Sequence, residues 1–123
     1  MIGDLPEETL SAILNQLPVR VTFIDSSNVI QVRNELCRTP ERDPAKLVGN
    51  SVFDCHTPES IPKAEKLIAD LRSGNKRSQS MIVRSGGKAW QEHFAAIHDK
   101  QGNYLGVTVV RYPLPETGAH TNS

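Results

Sequence analysis

The sequence of 123 residues has little cysteine, no excess of either charge and no long apolar run. Cys37 and Cys55 are too few for a disulfide framework, so we expect both to remain thiols in a reducing compartment. Fourteen basic residues balance fourteen acidic ones, so net charge gives no reason to expect a nucleic acid or an anionic membrane as partner. The length fits one compact domain.

Targeting and membrane signals are also missing. The N-terminus "MIGDLPEETL" is acidic where a signal peptide is basic, and no run approaches the roughly 20 apolar residues of a membrane span. We therefore expect a cytoplasmic protein. The string "LPETG" at 114–118 spells a sortase sorting signal, but only "AHTNS" follows it, without the hydrophobic segment and basic tail that this signal needs. We interpret 114–123 as a disordered tail in which the match has no function.

Hydrophobic periodicity predicts the elements of the first half. Residues 6–17 carry Leu10, Ile13, Leu14 and Leu17 at helical spacing, which predicts an amphipathic helix within an N-terminal segment 1–18. Residues 19–25 alternate apolar side chains with Arg20 and Thr22, and we interpret them as a half-buried strand that pairs with a returning strand at 29–34. Residues 35–52 indicate short helical turns and loop.

The second half predicts one longer helix and three strands. An apolar stripe marks a helix over 61–72, and Ser60 is the expected N-cap because it places Pro62 in the first turn. Strand patterns follow at 77–85, 89–99 and 104–112. An early hairpin and a late three-stranded meander predict an α+β domain over 19–113, with a five-stranded antiparallel sheet and helices on one face.

Four motifs in this order resemble the PAS domains, most closely the type found beside hemerythrin-like domains in archaeal and bacterial sensory proteins. They are "LPVRVTFID" (17–25), "CHTPES" (55–60) in place of a Cys-His-Pro-Pro-Lys-Ser element, "DLRSGNK" (70–76) and "DKQGNYLG" (99–106). The sequence departs from the pattern in that Thr57 replaces a proline, Glu59 a lysine and Arg33 a common aromatic residue. His93 stands where a basic residue is usual.

The resemblance implies a sensor of signal transduction rather than an enzyme, with a pocket between the main helix and the inner face of the sheet. The pocket residues that it implies are Phe53, His56, Ile61, Leu67, Ile68, Met81, Val107 and Val109. Ala64 and Val83 belong to the same surfaces. Apolar walls with a few polar groups suit a small-molecule ligand, whereas the alternative is that these side chains simply fill the core.

His56 gives the most concrete hypothesis about the ligand. Some PAS oxygen sensors bind haem through a histidine of the same helical region, so the resemblance implies haem b with His56 as axial ligand to its iron. The alternative is that His56 caps a turn or forms a hydrogen bond with a loop carbonyl. A zinc site or a nucleophile built from Cys55 and His56 is disfavoured, because adjacent residues point in different directions. We expect Cys55 to be a small buried hydrophobe.

Two further features concern turns and partners. Asp25 ends a strand before a turn, which favours a turn-stabilising role over an acid/base pair with Glu92. Trp90 and Phe94 share a strand face, which would serve dimerisation if exposed and belong to the core if covered. The expected partners are a small molecule, a second copy of the chain and a signalling protein. The competing hypothesis is a ligand-free interaction module.

Overall fold

The computed structural model describes residues 3–37 and 43–115. It contains two α-helices and five β-strands in these residues, with three short 3-10 turns between the second strand and the second helix. The bounds are α1 Glu7–Gln16, β1 Arg20–Asp25, β2 Ile30–Arg33, α2 Ile61–Ser73, β3 Ser78–Ser85, β4 Lys88–His98 and β5 Tyr104–Pro113. The 3-10 turns are Glu35–Cys37, Pro44–Lys46 and Val52–Cys55. Each predicted helix and strand is confirmed, with ends within a residue or so of the prediction.

The strands form a single antiparallel sheet in the order β2-β1-β5-β4-β3. The first hairpin and the last meander are therefore joined by β1 and β5, the two strands farthest apart along the chain. Their register sets Arg20 opposite Arg111 and Asp25 opposite Gly106. The predicted α+β class and the five-stranded antiparallel sheet are confirmed.

Helix α2 covers the inner face of the sheet, and it is the helix that buries side chains in the core. Its stripe buries Leu67, Ile68 and Leu71, and Leu71 is fully buried together with Val107 of β5. Ile68 packs with Ile24 and other apolar residues in a neighbouring cluster. Fully burying an aliphatic side chain of this size contributes roughly 1.5–3 kcal/mol, so this stripe holds the helix against the sheet.

The start of α2 agrees with the prediction in position but not in its hydrogen bond. Ser60 is the N-cap and Pro62 lies in the first turn, as predicted. The Ser60 side chain, however, does not cap the helix; its hydroxyl donates to the carbonyl of Thr57 at 3.1 Å. Ser60 has helical backbone angles, which turn its side chain back to the preceding turn rather than over the free amides.

Helix α1 is held by its C-terminal end. None of its residues is buried, and it is linked to the domain by the Asn34 side chain, which donates to the carbonyl of Leu14 at 2.8 Å, and by the Glu35 amide, which donates to Oδ1 of Asn15 at 3.0 Å. Ile13 and Leu14 remain exposed. The apolar stripe predicted for this helix is therefore covered only in part, because Leu10 and Leu17 are half-buried.

Asp25 has the predicted turn role. Its carboxylate accepts from the amides of Ser27 and Val29 and from the Gln31 side chain. These hydrogen bonds, the one from Val29 first, lower the pKa of Asp25. Asp99 stabilises the β4–β5 turn in the same way, because its carboxylate accepts from the backbone amide of Asn103. This hydrogen bond is the largest cause of the lowered pKa of Asp99.

Candidate functional site

A cavity of about 540 Å³ lies between α2, the 3-10 turns and the inner face of the sheet. This volume is within the range of small-molecule sites in proteins. Five of the predicted pocket residues line it, as do Ala64 and Val83. The five are His56, Leu67, Ile68, Met81 and Val109.

The other three predicted pocket residues lie elsewhere. Phe53 packs against the cluster formed by Ile24, Ile30, Val52 and Ile68, and Val107 is fully buried in the cluster with Leu67 and Leu71. Ile61, the first residue of α2, is half-buried and does not line the cavity. These residues support the cavity walls or the helix start rather than forming the surface of the cavity.

The inner face of β1 differs from the one suggested by the apolar residues of that strand. Arg20, Thr22 and Ile24 line the cavity, so Val21 and Phe23 point to the opposite face of the sheet. The alternation found the two faces correctly. The sequence could not show that the more polar face is the inner one, because this requires knowing that the cavity has a charged region.

Side chains on the inner face are graded from charged to apolar along the strands. The strand registers place Met81, Glu92, Arg111 and Arg20 in one row across the sheet. The next row contains Phe94, Val109, Thr22 and Arg33, and the third contains Ala96, Val107, Ile24 and Ile30. One part of the cavity therefore has guanidinium groups, and the adjoining part is aliphatic.

Two arginines in the charged row share an aromatic partner. Arg20 and Arg111 face each other across β1 and β5, and their guanidinium carbons lie 4.5 and 4.6 Å from the centre of the Trp90 ring. Arg111 also forms an ion pair with Glu92, with 3.6 Å between Nε and Oε2. Because like charges opposite each other repel, the ring and the carboxylate help to hold the two arginines together.

Arg33 is the most unusual group of the site. Its Nε donates to Thr22 Oγ1 in a long hydrogen bond of 3.4 Å, while its Nη1 is buried and has no hydrogen-bond partner among residues 3–37 and 43–115. No ion pair of Arg20 or Arg33 is formed within these residues either. Burying the Nη1 donor of Arg33 without a partner destabilises the fold, so a functional reason for it is expected.

His56 combines features of both sequence hypotheses. Its Nδ1 lies 2.9 Å from the carbonyl oxygen of Val52, and its backbone amide closes the third 3-10 turn by donating to Phe53. The proposed hydrogen bond to a loop carbonyl is therefore present. Because a carbonyl only accepts, Nδ1 carries the proton, and the basic nitrogen of the ring is Nε2. A hydrogen bond of this kind also orients histidines that bind metals.

The described residues contain no group of three or more histidine, cysteine or acidic side chains that could hold a metal ion. A haem iron requires only an axial side chain from the protein, and His56 lines the cavity. Of the two cysteines, Cys37 is a buried free thiol that also lines the cavity. The Cys55 side chain, and the part of "LPETG" from residue 116 onward, lie outside the described portion of the chain.

Trp90 and Phe94 are both half-buried on the inner face of β4. Phe94 lines the cavity, and Trp90, four residues earlier on the same face of β4, contacts the two arginines. The outward face of the sheet carries other exposed apolar side chains, among them Val32, Ile82 and Tyr112. Of the two alternatives, Phe94 fits the core, because it packs against the cluster of Leu67, Leu71 and Val107, whereas Trp90 packs against neither core cluster.

Sequence reasoning missed the charged part of the cavity, which consists of Arg20, Arg33, Glu92 and Arg111. Charged residues on a strand are usually assigned to solvent, and the alternation in β1 gave no other sign. One signal was available at Arg33, which stands where the resembled family commonly has an aromatic residue. An arginine in an aromatic position at the edge of a pocket indicates a change in what the pocket binds.

Comparison with known proteins now identifies the family. A family model described as PAS domain matches residues 10–112. The chain belongs to the PAS domain family. A comparison with curated proteins found no match. The match gives the family as a whole, and the subtype with the Cys-His-Pro-Pro element remains a prediction.

Solved structures agree with this PAS fold. A C-terminal domain from Streptococcus mutans is 29% identical, with a TM-score of 0.79, 92% of this chain covered and 88% of that chain. A sensory box sensor histidine kinase from Vibrio cholerae is 19% identical, with a TM-score of 0.64 and coverages of 89% and 91%. A Vibrio cholerae receptor described as a dual PAS-haem oxygen sensor is 16% identical, with a TM-score of 0.57 and coverages of 79% and 95%.

Within the described ranges, no helix of this PAS domain is long and apolar enough to cross a membrane.

Proposed function

We propose that this PAS domain is a sensory module that binds a small molecule in its cavity and passes the bound state to a signalling partner. The observation that carries the proposal is the cavity of about 540 Å³, with aliphatic walls on one side and guanidinium groups on the other. Such a site offers apolar area for affinity and a few polar groups for orientation. A cytoplasmic location is part of the proposal and agrees with the free thiol of Cys37.

A route from the cavity to the N-terminal helix supports the sensory part of the proposal. Cys37 lines the cavity, and its Sγ lies 3.5 Å from Oδ1 of Asn34. The amide group of Asn34 in turn donates to the carbonyl of Leu14 in α1. A ligand that moves the first 3-10 turn would therefore change the support of α1, whose exposed side chains Ile13 and Leu14 would contact a partner.

Haem b with His56 as axial ligand is one specific form of this proposal. The donor chemistry is suitable, because the Val52 carbonyl fixes the tautomer in which Nε2 is basic. The cavity also offers apolar walls for a macrocycle and cationic side chains for its carboxylates. Haem would supply reversible binding of a diatomic gas, or a redox change, at its iron. The protein residues would hold and orient it.

Titration of the purified protein with hemin tests the haem form. We expect a Soret band that shifts on reduction, that is lost in His56→Ala and that is retained in His93→Ala. His93 is the matched control because it lies on the outer side of β4, where its ring is hydrogen-bonded to Ser80 at 2.7 Å. A spectrum of free hemin in the wild-type protein, or a band that survives His56→Ala, contradicts haem ligation by His56.

A ligand-free interaction module is the second candidate, and a specific observation favours it. Helix α1 buries none of its residues, and Ile82 on the outer side of the sheet is 64% exposed. Exposed apolar side chains on α1 and on the outer side of the sheet suit a homodimer or a contact with a signalling protein. Native mass spectrometry of the protein purified from cells separates the two candidates. A dimer without bound ligand favours the interaction module, and an added small-molecule mass favours the sensor.

A further inference from the structure

We propose that the cavity selects an amphipathic carboxylate, with the carboxylate bound by Arg33 and Arg20 and the apolar body placed along the aliphatic rows. This inference rests on the proposed function, since it names the ligand class of the same cavity. It concerns residues that neither the family match nor the sequence prediction assigns to a ligand.

The charge of the cavity is the first support. Among the described residues, four cationic side chains line it, namely Arg20, Arg33, Lys63 and Arg111, against one carboxylate, that of Glu92. Glu92 is paired with Arg111, so it leaves Arg20 and Arg33 without a carboxylate in the described part of the chain. Glu59, the residue that reverses a family charge, is exposed and does not line the cavity. The cavity therefore attracts anions.

The unsatisfied guanidinium of Arg33 is the second support. Thr22 accepts from its Nε, and the buried Nη1 has no hydrogen-bond partner within the described residues. A bound carboxylate would accept from this nitrogen and remove the cost of burying it unpaired. The planar guanidinium matches the plane of a carboxylate, and such charge-assisted hydrogen bonds are about twice as strong as neutral ones.

The apolar rows define the rest of the ligand. Val109 of β5 lies beside Thr22, and Ile24 of β1 and Leu67 and Ile68 of α2 line the adjoining part of the cavity. Burying apolar surface there contributes about 25 cal/mol per Å². A purely polar anion would leave this part of the cavity unfilled, whereas an aliphatic chain attached to the carboxylate fills it.

Trp90 provides a reporter for the anionic end of the site. It is the only tryptophan of the chain, and Arg20 stacks on its ring at 4.5 Å. A carboxylate that binds Arg20 changes the field and the geometry at this ring. Its fluorescence should therefore change when the site fills.

The experiment compares three ligands of equal chain length, decanoate, 1-decanol and decyl phosphate, by fluorescence titration and calorimetry. The variants are Arg33→Gln and Arg20→Gln, with Arg84→Gln as the matched control. Arg84 is exposed on β3 and lies between residues that face inward, so it points away from the cavity. Far-UV circular dichroism checks that each variant is folded, and Arg20→Gln answers the same question should Arg33→Gln not fold.

We expect decanoate to bind at least about tenfold more tightly than 1-decanol, because a hydrogen bond to a charged group contributes about 1.5–3 kcal/mol. Arg33→Gln and Arg20→Gln should each weaken decanoate binding about 10- to 100-fold while leaving 1-decanol unchanged. Arg84→Gln should change neither.

Equal affinity for decanoate and 1-decanol, or decanoate binding that survives both cavity variants, would overturn the carboxylate assignment but leave a ligand-binding cavity. Tighter binding of decyl phosphate would replace the carboxylate by a phosphate. Binding of none of the three overturns the inference, and the proposed function is then judged by the native mass spectra alone.

Discussion

At the scale of single residues, Asn34 shows how much one buried polar side chain can organise. It is 2% exposed, accepts from the Val21 amide at 2.9 Å and donates to the carbonyls of Leu14 and Val19. One side chain thus joins α1, β1 and the end of β2. In the sequence Asn34 is only the last residue of the predicted strand 29–34, because nothing local shows that its partners come from a segment 13 to 20 residues away.

Replacing Asn34 by alanine should therefore be costly. We expect Asn34→Ala to lower the free energy of unfolding in urea by about 2–4 kcal/mol, because it removes three partly buried hydrogen bonds and leaves their backbone partners without the buried side chain that satisfies them. Asn50→Ala is the control, since its side chain makes one exposed hydrogen bond to the carbonyl of Lys46 and should cost less than about 1 kcal/mol. Equal losses in the two variants would show that Asn34 does not organise the fold.

His56 and Arg33 mark the limits of residue-level prediction at the site. His56 was found through its place in a family motif, and the structure adds its hydrogen bond to the Val52 carbonyl. Arg33 was noted only as a departure from the family pattern. Its importance follows from a buried nitrogen without a partner, a property of the packed chain that no local pattern contains.

At the scale of elements, the pairing of β1 with β5 is the step that closes the sheet. Gly106 lies opposite Asp25 in this pair and has a φ of +150°. A Cβ at this position would lie 2.0 Å from the carbonyl oxygen of Ile24 and 2.9 Å from the Cα of Asp25. Only glycine allows the two strands to approach as they do.

Gly106→Ala should consequently disrupt the centre of the sheet. We expect a loss of at least about 2 kcal/mol in the free energy of unfolding, because backbone strain and a steric clash with β1 add together. Gly102→Ala separates the two effects: its φ is +87° but a Cβ there would meet nothing within 4 Å, so it should cost only the strain, about 1–2 kcal/mol. If both variants lost the same amount, the close approach of β1 and β5 would be refuted.

The elements themselves could be predicted from the sequence, but their arrangement only in part. Helical spacing in 61–72 and alternation in the strands are local signals, and they gave α2 and the sheet class. The β1–β5 pairing joins segments more than 80 residues apart, and no turn motif specifies it. The inward face of β1 was also beyond prediction, because a strand beside a charged cavity can bury its more polar side.

At the scale of the whole molecule, the cavity is what distinguishes a sensor from a packed interaction module. The same apolar residues of α2 and the sheet are expected in both, so composition and periodicity leave the choice open. The structure leaves about 540 Å³ between α2 and the sheet. It forms because Leu71 and Val107 pack at one end of α2, while Ala64, a small residue, lines the cavity.

The free energy of unfolding of Ala64→Leu tests this cavity most directly. In an open cavity the added carbons find space, so we expect stability to stay the same or to rise by up to about 1 kcal/mol. Ala96→Leu is the control, because Ala96 packs against the cluster of Leu67, Leu71 and Val107 and a larger side chain there should cost about 1–3 kcal/mol. A loss of that size in Ala64→Leu would show a filled core and contradict the sensor account.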